Sequence, residues 1–102
     1  MNNDQKQETS LALFNGKAIR KVVFQNEWWF SVVDVVEALT DSVRPAAYWT
    51  AMKARVESED EIQLSTICRQ LKLIAKDGKK YETDCANTEG MLRIIQSIPS
   101  PG

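Results

Sequence analysis

Apolar residues along this chain follow two rhythms, and the change between Phe30 and Val32 is the firmest local signal. Ile19, Val22, Val23 and Phe24 form a run of branched and aromatic side chains. Gln25-Asn26-Glu27 interrupts it, and Trp28, Trp29 and Phe30 resume it. That pattern predicts a β-hairpin. Val32, Val35, Val36 and Leu39 then recur at helical spacing and predict one apolar stripe. Ser31 stands where an N-cap belongs, with Asp34 three residues on. The pair predicts a capping box in which Ser31 accepts from the Asp34 N–H and Asp34 reaches back, while Phe30 and Val35 staple the junction.

Either side of this unit the pattern is shorter-ranged. Residues 1–10 are polar without a useful period and predict a flexible N-terminal segment. Leu11, Leu13 and Phe14 predict a short leading strand ending at the Asn15-Gly16 turn pair. After Asp41-Ser42, Pro45 suits the first turn of a second helix. On that helix Tyr48, Trp49, Met52 and Val56 share one sector. Glu57, Glu59, Asp60 and Glu61 read as a solvated acidic junction rather than a metal site. Leu64, Ile67, Cys68 and Leu71 match helical spacing and predict a third helix from Ile62 to about Leu71. Asp77-Gly78 then marks a reversal, with Tyr81, Thr83 and Cys85 alternating beyond it, and predicts a second hairpin. Asn87 or Thr88 caps a last helix carrying Met91, Leu92, Ile94, Ile95 and Ile98, which Pro99 and Pro101 stop. Asp84 and Glu89 flank its start, where negative charge is favoured. The expected class is α+β: one small domain over residues 11–102, with an N-terminal hairpin, central helices, a second hairpin and a C-terminal helix.

Composition narrows the functional classes. The chain has 102 residues, of which 43% are hydrophobic, enough for one core. No apolar run is long enough to span a bilayer and no leader pattern precedes a cleavage-like site, so a cytoplasmic protein with no membrane partner is expected. Two cysteines make no disulfide framework, and Cys68 and Cys85 are expected as reduced, structural thiols. With no histidine and no close cysteine pair, neither zinc nor another metal is expected. No catalytic triad, nucleotide fingerprint or two-metal motif is present, so neither enzyme chemistry nor a cofactor is implied. Net charge is −1, from 13 basic and 14 acidic residues. The basic excess lies in residues 62–102, with six Lys or Arg against four acids.

The stretch FNGKAIRKVVFQNEWWFSVVDVVEAL, followed by RPAAYWTAMKAR and LSTICRQLKLIAKDGKKYETDCANTEGMLRIIQSIPSP, resembles the N-terminal domain of the BRO family. That family includes baculovirus repeated-ORF proteins, phage antirepressors and bacterial DNA-damage-inducible proteins. The similarity runs from about Leu13 to Pro101. Its most specific parts are WWFSVVDVVEAL and the ordered pair DGKKYETD and NTEGMLRIIQSIPSP. Relatives continue past SIPSP into an aromatic-bearing helix, so the resemblance implies a domain truncated at its C-terminal end. It also implies DNA binding in prophage-type or bacterial transcription regulation, with no catalytic residues.

The residues able to carry that role are basic. Arg44, Lys53 and Arg55 lie on or beside the aromatic-bearing second helix. Arg69 and Lys72 follow, and Lys76, Lys79 and Lys80 surround the Asp77-Gly78 reversal. Such side chains hold phosphates, and an exposed hairpin or helix can enter a groove of double-stranded DNA. Trp28 and Trp29 point to opposite sides of a regular strand, placing at least one in the core. Hydrophobic periodicity equally suits a protein-interaction or dimerisation module of an antirepressor-like regulator. Its partner would be a repressor protein or a second copy.

Overall fold

The structure, a computed structural model, describes residues 9–60 and 66–98, with side chains in the second helix described to Arg55. Its elements are β1 (Ser10–Phe14), β2 (Lys17–Phe24), β3 (Glu27–Ser31), α1 (Val32–Thr40), α2 (Pro45–Asp60), β4 (Arg69–Ile74), β5 (Lys80–Asn87) and α3 (Thr88–Ser97). The class is α+β, and the five strands form one sheet in the order β1-β2-β3-β5-β4 with every described pairing antiparallel.

The first two turns are set by left-handed residues. Asn15 and Gly16 have φ of 53° and 75°, and Gln25 and Asn26 have 53° and 67°. Two positive φ values in a two-residue loop match the right-handed twist of the flanking strands. The second turn manages this without glycine. Strand β3 passes straight into α1 through Ser31, whose hydroxyl accepts from the Asp34 N–H at 3.3 Å. The other half of the expected capping box is replaced. Asp34 turns its carboxylate to Arg20, taking the Arg20 backbone N–H at 2.9 Å and its guanidinium. A second strand therefore supplies the donors that the capping box would draw from Ser31.

Alternation places apolar side chains on both faces of the sheet. One face, with Ile19 and Ala86, packs under Val32, Val35 and Val36 of α1, Trp49 and Met52 of α2, and Met91 and Ile94 of α3. The other buries Val22, Trp29, Leu71, Leu73 and Cys85, with Phe24 at its margin. Among the described residues no helix lies over that second core; the sheet curls round it. Ile74 at the end of β4 accepts from Arg20 Nη1 at 3.1 Å and donates its N–H to Thr9 Oγ1 at 3.3 Å, so the two sheet edges approach one another.

Two further sequence readings are corrected. Arg69–Ile74 is a strand, so the expected third helix does not extend to Leu71. Leu71 and Leu73 are buried while Gln70, Lys72 and Ile74 are exposed, a period of two enforced by the β5 ladder. Cys68 accordingly stands in no helix; it is half-buried against the helical core. Second, α2 continues to Asp60, so Glu57, Glu59 and Asp60 belong to its last turn instead of a connection. Residues 1–8, 61–65 and 99–102, and with them Leu64, Pro99 and Pro101, lie outside the described residues.

Candidate nucleic-acid interface

The β4–β5 hairpin is closed by a tight loop. Gly78 donates its N–H to the Ala75 carbonyl at 2.9 Å, and Ala75 donates to Lys79 at 2.8 Å. Gly78 sits at φ 85°, a conformation that a side chain would strain. Asp77 braces the loop from outside. One carboxylate oxygen takes the Lys79 N–H at 2.8 Å, and the other takes the Tyr81 hydroxyl at 2.6 Å. These donors hold the Asp77 carboxyl below its ordinary range, the Tyr81 hydroxyl first, and the same bond raises the Tyr81 phenol.

Register decides where the basic side chains point. Lys72 opposes Glu82 and Lys80 opposes Ile74, so both lysines occupy one face of the ribbon, while Lys76 and Lys79 occupy its tip. All four are exposed. The segment Arg69–Glu82 carries five basic and two acidic residues, a local +3 in a chain of net −1. Among the described residues, ion pairs occupy Lys17, Arg20 and Lys53, and none of the four hairpin lysines. Lys76 also lines a cleft with Arg20, Asp34 and Glu37, so carboxylates share its surroundings.

The remaining basic candidates do not join that group. Lys53 lies 3.0 Å from Asp84 Oδ2 and 5.2 Å from the Trp49 ring centroid. Arg55 donates to the Ser97 carbonyl at 3.2 Å and so closes the C-terminal end of α3. The Arg69 guanidinium stacks 4.9 Å from Phe24 and 5.6 Å from Trp29, covering the margin of the second core. Arg44 is exposed at the approach to α2, where its carbonyl accepts from the Tyr48 N–H.

Asp84 has a different position from the one its sequence neighbourhood suggested. It lies on β5 and collects Trp49 Nε1 at 2.8 Å, Lys53 Nζ at 3.0 Å and Gln70 Nε2 at 3.2 Å. Burial acts to raise its carboxyl, but these three donors and the Lys53 charge outweigh burial and hold it low. The cluster ties α2 to β4 and β5, on the face of the ribbon that also carries Lys72 and Lys80. Cys68 and Cys85 are free thiols, each pushed up to about 12, chiefly by burial, which makes them poor nucleophiles.

One exposed cation–aromatic pair escaped the sequence reading. Lys21 Nζ sits 3.9 Å from the centroid of Trp28, which is 40% exposed, while Trp29 beside it is buried. The alternation of Trp28 and Trp29 was readable; the Lys21 contact depends on the β2–β3 register, which places Lys21 diagonal to Trp28.

The family model of the BRO family N-terminal domain matches residues 18–102. This chain belongs to the BRO family. N-terminal domains of BRO proteins are, in general, regulatory domains of the DNA-binding type. No curated protein and no solved structure gives a match. No helix among the described residues is long and apolar enough to cross a membrane.

Proposed function

We propose that this BRO-family domain binds duplex DNA with the β4–β5 hairpin, as the DNA-contacting part of a phage-type or bacterial transcription regulator. The observation that carries the reading is the set of four exposed lysines, Lys72, Lys76, Lys79 and Lys80, on a braced two-stranded ribbon, none in an ion pair among the described residues. A β-ribbon fits the major groove of B-DNA, and lysines along it reach phosphates on the groove walls. Phosphate contacts position a protein without reading bases. Replacing Lys79 and Lys80 together with Ala therefore weakens binding to a selected duplex and to its scrambled version by similar factors. It also lowers the salt slope by up to about two phosphate equivalents. Titration of both duplexes at several salt concentrations tests this; an intact fold with unchanged affinities and slopes removes the hairpin from the reading.

A second reading has its own observation. Between β1 and α3 lies an apolar groove lined by Phe14, Ile19, Phe30, Met91, Leu92 and Ile95, with Leu92 55% exposed at its rim. A groove of this kind suits capture of a repressor protein by an antirepressor-like regulator. Binding that tolerates salt and is lost in Leu92→Asp favours it over the DNA reading.

A further inference from the structure

The sheet has two edges of opposite character. Strand β4 carries Arg69 and Lys72, charges of the kind that discourage another strand from pairing. Strand β1 reads SLALF and carries no charge, no proline and no glycine. Among the described residues no strand pairs with its outer side. Leu11 and Leu13 share one face of β1 and are 64% and 79% exposed; Phe14, on the opposite face, is 40% exposed.

We infer that the β1 edge pairs with β1 of a second copy of this chain, antiparallel and centred on Ala12. In that register Ala12 faces its twin and Leu11 faces Leu13 of the second copy. The four leucines then form one apolar cluster across the two-fold axis, as an isologous interface requires. Ser10 faces Phe14 of the other copy, covering a ring that is open in the single chain. The exposed parts of Leu11, Leu13 and Phe14 amount to roughly 300 Å² of side chain per copy. With the strand backbones the total is on the order of 1,000 Å², at the lower end of specific interfaces. The dimer is therefore weak and concentration-dependent. Leu11 lines a cleft with Ile74, Ala75 and Lys76, so the edge adjoins the base of the lysine hairpin, but the pairing does not rest on the DNA reading.

Sedimentation equilibrium of the chain from micromolar concentration up to about 1 mM tests the pairing. Reversible dimerisation is expected, with Leu11→Lys and Leu13→Lys each weakening it about tenfold or more by setting charges into the cluster. Both positions are exposed, so circular dichroism should show the fold intact. Register is read separately by oxidation: Ala12→Cys crosslinks to its twin, and Ser10→Cys, facing Phe14, does not. A chain that stays monomeric overturns the inference, including one that takes up an extended strand from a different protein. A dimer indifferent to both lysine substitutions, or equal crosslinking at positions 10 and 12, also overturns it.

Discussion

Arg20 and Asp34 meet fork to fork: Nε lies 2.8 Å from Oδ2 and Nη2 3.0 Å from Oδ1, with both side chains largely buried. The same guanidinium donates to the Ile74 carbonyl on β4 and lies 3.4 Å from Ser31 Oγ at the N-cap of α1. One side chain thus ties β2 to the first helix and to the far edge of the sheet.

Removing that tie should be costly, because Asp34 would keep its buried charge without its guanidinium. Arg20→Ala is expected to lower stability by about 2–3 kcal/mol. Arg20→Lys should recover only part of the loss, since a single ammonium cannot make the paired bonds or reach Ile74 as well. Urea unfolding checks both. Equal stability of Arg20→Lys and wild type would show that charge alone holds the junction.

The Asp84 cluster gives an acid dependence with a defined sign. Its carboxyl is lower in the folded protein than the ordinary value of 3.8. Stability from this group is fully present above the unfolded value and is lost as pH falls through the folded one. Unfolding midpoints should therefore decline below about pH 4, and Asp84→Asn should flatten part of that decline while lowering stability at neutral pH. Asp77 is also held low, so Asp77→Asn must be measured alongside to separate the two contributions.

Much of this architecture was legible in the chain, and what was not has a common physical cause. Asn15-Gly16, Asp77-Gly78, Ser31 and Asn87 announce turns and caps because their partners lie within a few residues. The strand Arg69–Ile74 was hidden because the helical spacing of Leu64, Ile67, Cys68 and Leu71 outweighed a two-leucine alternation, and only pairing with β5 decides between them. The candidate site divides the same way. Lys79 and Lys80 stand out beside a local turn, whereas Lys53 and Arg55 are engaged by partners 31 and 42 residues away. Sequence spacing carries no record of those pairings.

The β2–β3 turn offers a stabilising change. Gln25 and Asn26 both hold positive φ, which costs a residue with a side chain more than it costs glycine. Asn26→Gly gives the turn a residue at home there and should raise stability by about 0.5–1 kcal/mol, less the greater freedom glycine brings to the unfolded chain. Thermal or urea unfolding measures it, and a lower midpoint would show that Asn26 is already relaxed in its place.

The last prediction separates shape from charge in the hairpin. Tyr81 donates its hydroxyl to Asp77, and Asp77 in turn holds the Lys79 N–H. Tyr81→Phe removes one of those bonds without altering any lysine, and Tyr81 is 50% exposed, so the cost to global stability should be small. If the hairpin works as a braced ribbon, a looser tip pays more ordering entropy on docking, and DNA affinity falls about twofold to fivefold. The number of phosphates engaged is unchanged, so the salt slope stays that of wild type. Replacing Lys79 and Lys80 with Ala has the opposite signature, a reduced slope along with reduced affinity. Parallel salt titrations of the two variants distinguish the roles. A Tyr81→Phe protein that binds as tightly as wild type would mean the lysines act as mobile charges and the Asp77 brace serves only the fold.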